Sequence, residues 1–149
     1  MTTDVSVIDR NSTDPGAPAP ERRRRVLVVD DNPELRGMIS AVLRERGCDV
    51  VECDGSATAL WEIAVSDLDA AVIDLIMPDV HGLEFLRELR ERPGGEDLPS
   101  VIMSSLPPGR TRKRARAEIA AMPRAGFLDK PVTGRVLAEA LSALAAQTA

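Results

Sequence analysis

Reactive side chains follow four short apolar segments of this 149-residue sequence, each at the point where the segment ends. Asp30 and Asp31 follow the first segment, and Asp74, Ser104 and Lys130 end the later ones. If the segments are parallel strands, these residues gather at one edge of a sheet, where open α/β sheets bind their ligands. Three crowded carboxylates repel one another unless a cation lies between them, and Mg²⁺ prefers oxygen ligands. The pattern therefore predicts a site for a divalent metal and a phosphoryl group.

These residue types divide the work of phosphoryl transfer. A carboxylate can act as a nucleophile towards phosphorus as well as a metal ligand, which yields an acyl phosphate. The Lys130 ammonium would offset charge on the phosphoryl oxygens, and the Ser104 hydroxyl would donate a hydrogen bond to one of them. Plainer roles stay open, because Asp30 and Asp31 could cap a helix that begins near Pro33.

Composition limits the function classes. The sequence is 44% hydrophobic, carries a formal net charge of −5 and contains three aromatic residues, one Trp and two Phe. This average charge gives no reason to expect nucleic acid binding. No apolar stretch approaches the roughly 18 residues that span a bilayer, and the first residues do not resemble a secretory signal.

The two cysteines, Cys48 and Cys53, are predicted to lie on opposite faces of a short strand, which argues against a disulfide. With a single histidine in the sequence they also cannot complete a closed zinc site. We therefore interpret them as small packed side chains, and we expect a cytoplasmic protein.

The chain divides into a tail and one domain. Residues 1–25 are rich in turn and linker residues and are predicted to form a disordered tail. Its last four arginines, 22–25, are interpreted as a solvated flank. Residues 26–149 are predicted to form the domain.

Five strand patterns alternate with five helical patterns after residue 26. The strands are predicted at 26–30, 48–52, 69–74, 98–103 and 125–129, and the helices begin near 33, 56, 83, 110 and 133. Five βα units predict a doubly wound parallel sheet of the α/β class, with helices on both faces. The inner face of the first helix is predicted to carry Leu35, Met38, Ile39, Val42 and Leu43.

Several motifs resemble the receiver domains of response regulators, which belong to two-component signalling. They are residues 28–33 (VVDDNP), 72–79 (VIDLIMPD) with Gly82, 102–105 (IMSS) and 125–131 (AGFLDKP). The resemblance runs from residue 26 to about 147 and implies a flavodoxin-like (βα)5 fold with strand order 2-1-3-4-5.

The resemblance also implies a role for each matching residue of the acidic site. Asp74 corresponds to the residue that is phosphorylated. Asp30 and Asp31 correspond to the acidic pair that holds Mg²⁺ together with Asp74, and the backbone carbonyl of Ile76 is a further implied ligand.

Other matching residues are implied to sense the phosphoryl group. Ser104 corresponds to the switch hydroxyl and Phe127 to the switch aromatic residue whose rotamer follows it. Lys130 is implied to contact the phosphate. Its peptide bond to Pro131 is implied to be cis, a form whose free-energy cost is small only before proline.

As a function, the resemblance implies a response regulator that takes a phosphoryl group from a histidine kinase or phosphotransfer protein. It would signal through altered protein contacts on the face formed by the fourth helix, fifth strand and fifth helix. Since only 19 residues follow Lys130, we expect a stand-alone receiver that is not an enzyme acting on an external substrate. The sequence leaves open whether the protein forms a weak dimer.

The sequence departs from the family between Ser104 and Lys130, where it is a few residues longer and opens with a stiff turn-forming segment at 106–109. A cationic run follows near a helix N-terminus, where the helix dipole disfavours cations and like charges four residues apart repel. Two interpretations of this run stay open: a merely solvated basic face, or a docking surface for an acidic or phosphate-bearing partner. The residues of this run are Arg110, Arg112, Lys113, Arg114 and Arg116.

Two competing functions remain. The fold could carry a vestigial site and dock constitutively through its basic fourth helix. A Mg²⁺-dependent aspartyl phosphatase is the other alternative, although that class usually needs a second acid where this sequence has Ile76. His81 is interpreted as an ordinary loop residue, and Ile76 and Leu106 are predicted to slow the loss of phosphate by restricting water.

Overall fold

The computed structural model describes residues 22–147, in which strands and helices alternate. The strands are β1 Arg25–Val29, β2 Asp49–Cys53, β3 Ala70–Asp74, β4 Ser100–Ser104 and β5 Ala125–Asp129. The helices are α1 Pro33–Glu45, α2 Ser56–Val65, α3 Gly82–Arg90, α4 Arg110–Ala120 and α5 Gly134–Ala145.

All five strands are parallel and lie in the order β2-β1-β3-β4-β5. This confirms the predicted doubly wound, flavodoxin-like sheet. Strands β3 and β4 are buried along their whole length, as expected of central strands that helices cover on both faces. The order reverses between β1 and β3, and the carboxyl ends of these two strands border the crevice where such sheets bind ligands.

Alternate residues of each strand supply two separate cores. Leu27 and Ile73 pack with residues of α2, α3 and α4 on one face of the sheet. Val28 and Val72 pack with residues of α1 and α5 on the other face. Because successive side chains of a strand point to opposite faces, both cores are built from the same continuous apolar runs.

Some expectations need correction at the element level. Most element boundaries differ by one or two residues from the predicted ones, and β1 begins at Arg25, within the predicted tail. Met38 was predicted on the buried face of α1, but it is 65% exposed. Of the five apolar residues predicted on this face only Leu43 is fully buried, and Ser40 is buried with it.

The arginines that lead into β1 contact the domain instead of forming a purely solvated flank. Arg22 pairs with Asp69 at 2.7 Å, and Arg23 lies 3.5 Å from an oxygen of Asp49. Residues 1–21, which make up the rest of the predicted tail, lie outside the described residues, and the predicted boundary stays a prediction.

The two cysteines occupy opposite sides of the sheet, as predicted. Cys53 belongs to the core beneath α2 to α4, whereas Cys48 packs against the core beneath α1 and α5. Burial raises the pKa of the Cys53 thiol to about 11. Within residues 22–147, no helix has the length and hydrophobicity to cross a bilayer.

Candidate metal and phosphoryl site

Strand register brings the predicted site residues to one level of the sheet. Val29 is paired with Ile73, so that Asp30 follows β1 beside the end of β3 at Asp74. Ser104 closes β4 opposite Asp129, the residue before Lys130. The polar residues at the ends of β1, β3, β4 and β5 therefore lie along a single edge of the sheet, as the sequence predicted.

Asp30, Asp31 and Asp74 form an acidic cluster at this edge. Each residue offers one carboxylate oxygen, and these oxygens all lie within 4.8 Å of one another. Asp30 and Asp74 are buried whereas Asp31 is exposed, so the cluster opens to solvent on the side of Asp31.

Asp30 supplies the observation that tests whether a cation fits. Its Oδ1 accepts a hydrogen bond from the Asn32 N–H at 2.9 Å, while its Oδ2 is buried and has no hydrogen-bond partner among the described residues. The Lys130 ammonium is 3.7 Å from that oxygen. Because a buried polar atom without a partner is costly, and the neighbouring donors are also carboxylates, the cluster fits a hard divalent ion such as Mg²⁺.

Lys130 reaches the same cluster from the end of β5. Its Nζ donates to Oδ1 of Asp74 at 3.1 Å, and its side chain is only 16% exposed. Burial raises the pKa of Asp74, although the Lys130 ammonium counteracts part of this rise and the Asp30 carboxylate adds to it. Asp74 is therefore a buried carboxylate with a cation on one oxygen and a like charge nearby.

The two residues predicted to sense the phosphoryl group lie on the next two strands: Ser104 ends β4, beside β3, and Phe127 lies three residues before Lys130 on β5. The Ser104 side chain is buried, and its Oγ accepts a hydrogen bond from the Leu106 N–H at 3.0 Å. Since that bond uses a lone pair, the hydroxyl proton is free to be donated. Phe127 is half-buried on β5 and packs against the core beneath α4.

Ile76 and Pro131 flank the site. Ile76 lies two residues beyond Asp74 with 48% of its surface exposed. The Lys130–Pro131 peptide bond is cis. The roles that the resemblance implied for all these residues stay proposals.

Sequence reasoning missed two residues that support the acidic cluster. Asn32 caps α1 by accepting hydrogen bonds from the N–H groups of Glu34 and Leu35. An asparagine directly before a proline at the first helical position is a recognisable start signal. Arg36 donates a hydrogen bond from Nη1 to the Asp30 carbonyl at 2.8 Å. No local sequence pattern predicts this contact.

His81 lies in the loop before α3, as the sequence predicts, and also has a structural role there. Its Nδ1 accepts a hydrogen bond of 3.4 Å from the Leu83 N–H and thereby caps α3. It also forms an isolated antiparallel bridge with Ile76. The loop after Asp74 is thus tied to the start of α3.

Local ion pairs stabilise part of the cationic run on α4, and a docking surface there stays a prediction. Arg112 and Arg116 both pair with Asp129, at 3.3 and 2.6 Å, and Arg114 pairs with Glu118 at 3.3 Å. These pairs offset the repulsion that is expected between like charges on α4. Within residues 22–147, no ion pair involves the remaining two cations, Arg110 and Lys113.

The family model and the similar proteins indicate the same family for this chain. Residues 26–142 match the family described as the response regulator receiver domain. The chemotaxis protein CheY homolog of Campylobacter jejuni is 31% identical over 123 residues, which cover 78% of this chain and 88% of that protein.

A second relative is much longer than this chain. The protein-glutamate methylesterase/protein-glutamine glutaminase of Agrobacterium fabrum is 40% identical over 115 residues, which cover 74% of this chain but only 30% of that protein. This chain therefore spans less than a third of the methylesterase.

A solved structure, the chemotaxis protein CheY4 of Vibrio cholerae, shares the fold with a TM-score of 0.72. It is 24% identical to this chain, and the alignment covers 83% of this chain and 99% of CheY4. Since the family match includes nearly all of β1 and every later strand, with the acidic cluster and its lysine inside it, the chain belongs to the family of response regulator receiver domains.

Proposed function

We propose that this receiver is a phosphorylation switch in which Asp74 accepts a phosphoryl group from a phosphohistidine of a histidine kinase or phosphotransfer protein. The observation that carries the proposal is the convergence of three carboxylates and the Lys130 ammonium at one sheet edge, with Lys130 Nζ 3.1 Å from Asp74. Such a combination of nucleophile, metal ligands and cation suits phosphoryl transfer, which depends on positioning and on charge neutralisation.

The transfer forms one bond and breaks one. An Asp74 oxygen bonds to phosphorus while the bond from phosphorus to the donor's histidine nitrogen breaks. The electron pair of the broken bond returns to the imidazole, which leaves as a neutral ring because its other nitrogen carries a proton. Lys130 then bonds a phosphoryl oxygen in place of the Asp74 oxygen that it holds in the unphosphorylated protein.

Asp30, Asp31 and Asp74 would hold Mg²⁺, with the carbonyl of Ile76 as a fourth protein ligand. When bound, the ion neutralises charge on the phosphoryl oxygens. The unpartnered Oδ2 of Asp30 supports this assignment, because the ion would satisfy an atom that no described residue satisfies.

Ser104 and Phe127 would carry the signal away from the site. The Ser104 hydroxyl would donate its proton to a phosphoryl oxygen, and the Phe127 ring would follow this movement. The outcome would be altered protein contacts on the face formed by α4, β5 and α5. In this role the chain catalyses only its own phosphorylation and dephosphorylation, and its stand-alone, cytoplasmic action stays a prediction.

Beryllofluoride, a chemical stand-in for a phosphoryl group on aspartate, tests the proposal. With Mg²⁺ present, we expect backbone amide signals near Asp74, Ser104 and Phe127 to shift in the wild type but not in Asp74→Asn. Affinity capture with both forms then reports whether partner binding depends on the switch. Unchanged spectra of the wild type would reject the proposal and favour constitutive docking, and steady turnover of a generic phosphate ester would favour a phosphatase.

A further inference from the structure

The carboxylate of Asp129 is held by a single helix. Asp129 ends β5 directly before Lys130, and its Oδ2 accepts from Arg116 Nη2 at 2.6 Å. Its Oδ1 lies 3.3 Å from Nη1 of Arg112. Both arginines belong to α4, so the end of β5 is tied to α4 through both oxygens of one side chain.

Arg116 makes a second contact on the same strand. Its guanidinium carbon lies 4.8 Å from the centroid of the Phe127 ring, within the range of a cation–π contact. Phe127 and Asp129 are two residues apart on β5 and therefore face the same side of the sheet, the side that α4 covers. Arg116 thus bridges an aromatic ring and a carboxylate that share one surface.

This cluster lies one peptide bond from the candidate phosphoryl site. Lys130, which follows Asp129, donates its backbone N–H to the Ser104 carbonyl at 2.7 Å and its ammonium to Asp74. A change at Asp74 would therefore reach Asp129 and Phe127 through the backbone of β5, and these residues contact α4 directly. No function described above uses the Arg116 contacts.

We propose that Arg116, anchored by Asp129, is a positioning residue that holds the Phe127 ring in its unphosphorylated arrangement. This inference rests on the proposed switch, in which the ring moves after phosphorylation. When the ring moves, Arg116 loses its aromatic contact, so the contact favours the unphosphorylated state. By linkage, its removal must favour the phosphorylated state to the same degree.

The effect should be modest, because the residues are partly exposed: the Arg116 side chain is 50% exposed and that of Asp129 is 36% exposed. The cation–π contact is the interaction that changes between the two states, and at an exposed site it sets a scale of about twofold to fivefold in an equilibrium constant. Arg116→Gln and Asp129→Asn should each tighten beryllofluoride binding in the presence of Mg²⁺ by about that factor. The bound fraction is measured directly from fluorine NMR signals.

Arg114→Gln is the matched control. It removes the same charge from the same helix, but Arg114 pairs with Glu118 instead of Asp129. It should leave beryllofluoride affinity unchanged. In a Phe127→Leu background, Arg116→Gln should lose most of its effect on affinity, whereas a purely structural role would leave its effect the same.

A second readout needs no phosphoryl analogue. The sequence contains two phenylalanines, Phe127 and the fully buried Phe85, which serves as an internal reference. In the unphosphorylated protein, Arg116→Gln should shift the ring signals of Phe127 but not those of Phe85, and Arg114→Gln should shift neither. Unmoved Phe127 signals in Arg116→Gln would overturn the inference.

The two readouts separate the two claims. If the wild type fails to bind beryllofluoride, the proposed switch is wrong, while the Phe127 signals still decide whether Arg116 positions the ring. If the wild type binds it and Arg116→Gln binds with equal affinity, the inference alone is wrong.

Discussion

Gly82 packs its α-carbon directly against the main-chain carbonyl of Asp74. A Cβ at this position would meet that carbonyl oxygen and would lie 2.8 Å from the Cα of Leu75. The Gly82 N–H also donates to the Leu75 carbonyl at 2.6 Å. The start of α3 is thus fixed against the backbone of the candidate phosphorylated residue.

This close approach predicts a large cost for Gly82→Ala. Since backbone rather than a flexible side chain would have to move, we expect the variant to lose about 2 kcal/mol of unfolding free energy, roughly 8 °C in Tm. Thermal unfolding followed by circular dichroism measures the change. Gly37→Ala is the control, because an added Cβ there meets no atom within 4 Å. It should raise stability by about 0.5–1 kcal/mol, and an equal effect of both variants would contradict this explanation.

Asp74→Asn should stabilise the protein in the absence of Mg²⁺. The pKa of Asp74 is raised by burial, so the folded state holds this proton more tightly than the unfolded state. Stability from this residue is therefore lost as pH rises above its ordinary pKa of 3.8 and through the raised value. Replacement by a neutral amide removes that loss.

At neutral pH and without metal we expect a gain of about 1 kcal/mol for Asp74→Asn, or about 4 °C in Tm. The difference in unfolding free energy between Asp74→Asn and the wild type should grow from about pH 4 upwards and then level off. Melting curves recorded from pH 3.5 to pH 8 follow it, in roughly half-unit steps. A variant less stable than the wild type throughout this range would contradict the description of Asp74 as a strained buried charge.

Mg²⁺ should stabilise the wild type by binding only the folded state. At a concentration about ten times the dissociation constant, the expected gain is about 1.4 kcal/mol. Asp30→Asn should lose most of this gain, because it removes a buried ligand whose Oδ2 has no other hydrogen-bond partner among the described residues. Asp67→Asn changes an exposed acid outside the cluster and should keep the full gain. Equal Mg²⁺ responses of the two variants would contradict the assigned ligands.

Lys130→Gln should slow phosphoryl transfer without unfolding the protein. In the unphosphorylated protein the ammonium donates to an Asp74 oxygen, and after transfer it would donate to a phosphoryl oxygen. Its loss therefore removes a preorganised cation from the reacting group. Losing one such donor costs about 10²-fold in rate. The rate of phosphorylation by acetyl phosphate, followed by intact mass, gives the comparison.

The sequence offers a matched control for this variant in Lys113, its only other lysine. Lys113→Gln removes the same charge from α4, away from the acidic cluster, and should react at the wild-type rate. A Lys130→Gln rate within about threefold of the wild type would rule out a large role for the ammonium.

How far the sequence predicts this molecule depends on whether a feature is local. The strand ends at Asp30, Asp74 and Ser104 were predictable, because each follows a short apolar run, and parallel strands must align their carboxyl ends. The type of each helix and strand and their succession along the chain followed from the same periodicity, whereas the strand order in the sheet was implied only by the resemblance to receiver domains. The helix boundaries did not follow from the periodicity, since hydrogen bonds at the helix ends set them.

Features that depend on contacts between distant elements were missed. The Arg116–Asp129 pair joins a helix to a strand, and the sequence pattern of α4 showed only like charges that repel. Gly134 of α5 packs so closely on α1 that an added Cβ would collide with Val42, and the sequence pattern of neither helix indicated this contact. The role of His81 as a cap needed the position of the Leu83 N–H.

The most direct test of the central claim is the intact mass of the protein after incubation with acetyl phosphate and Mg²⁺. We predict a gain of about 80 Da, one phosphoryl group, in the wild type. Peptide mapping should place it on Asp74, and Asp74→Asn should gain nothing. An adduct of the same mass that persists in Asp74→Asn, or a wild type that never acquires one, would contradict the account.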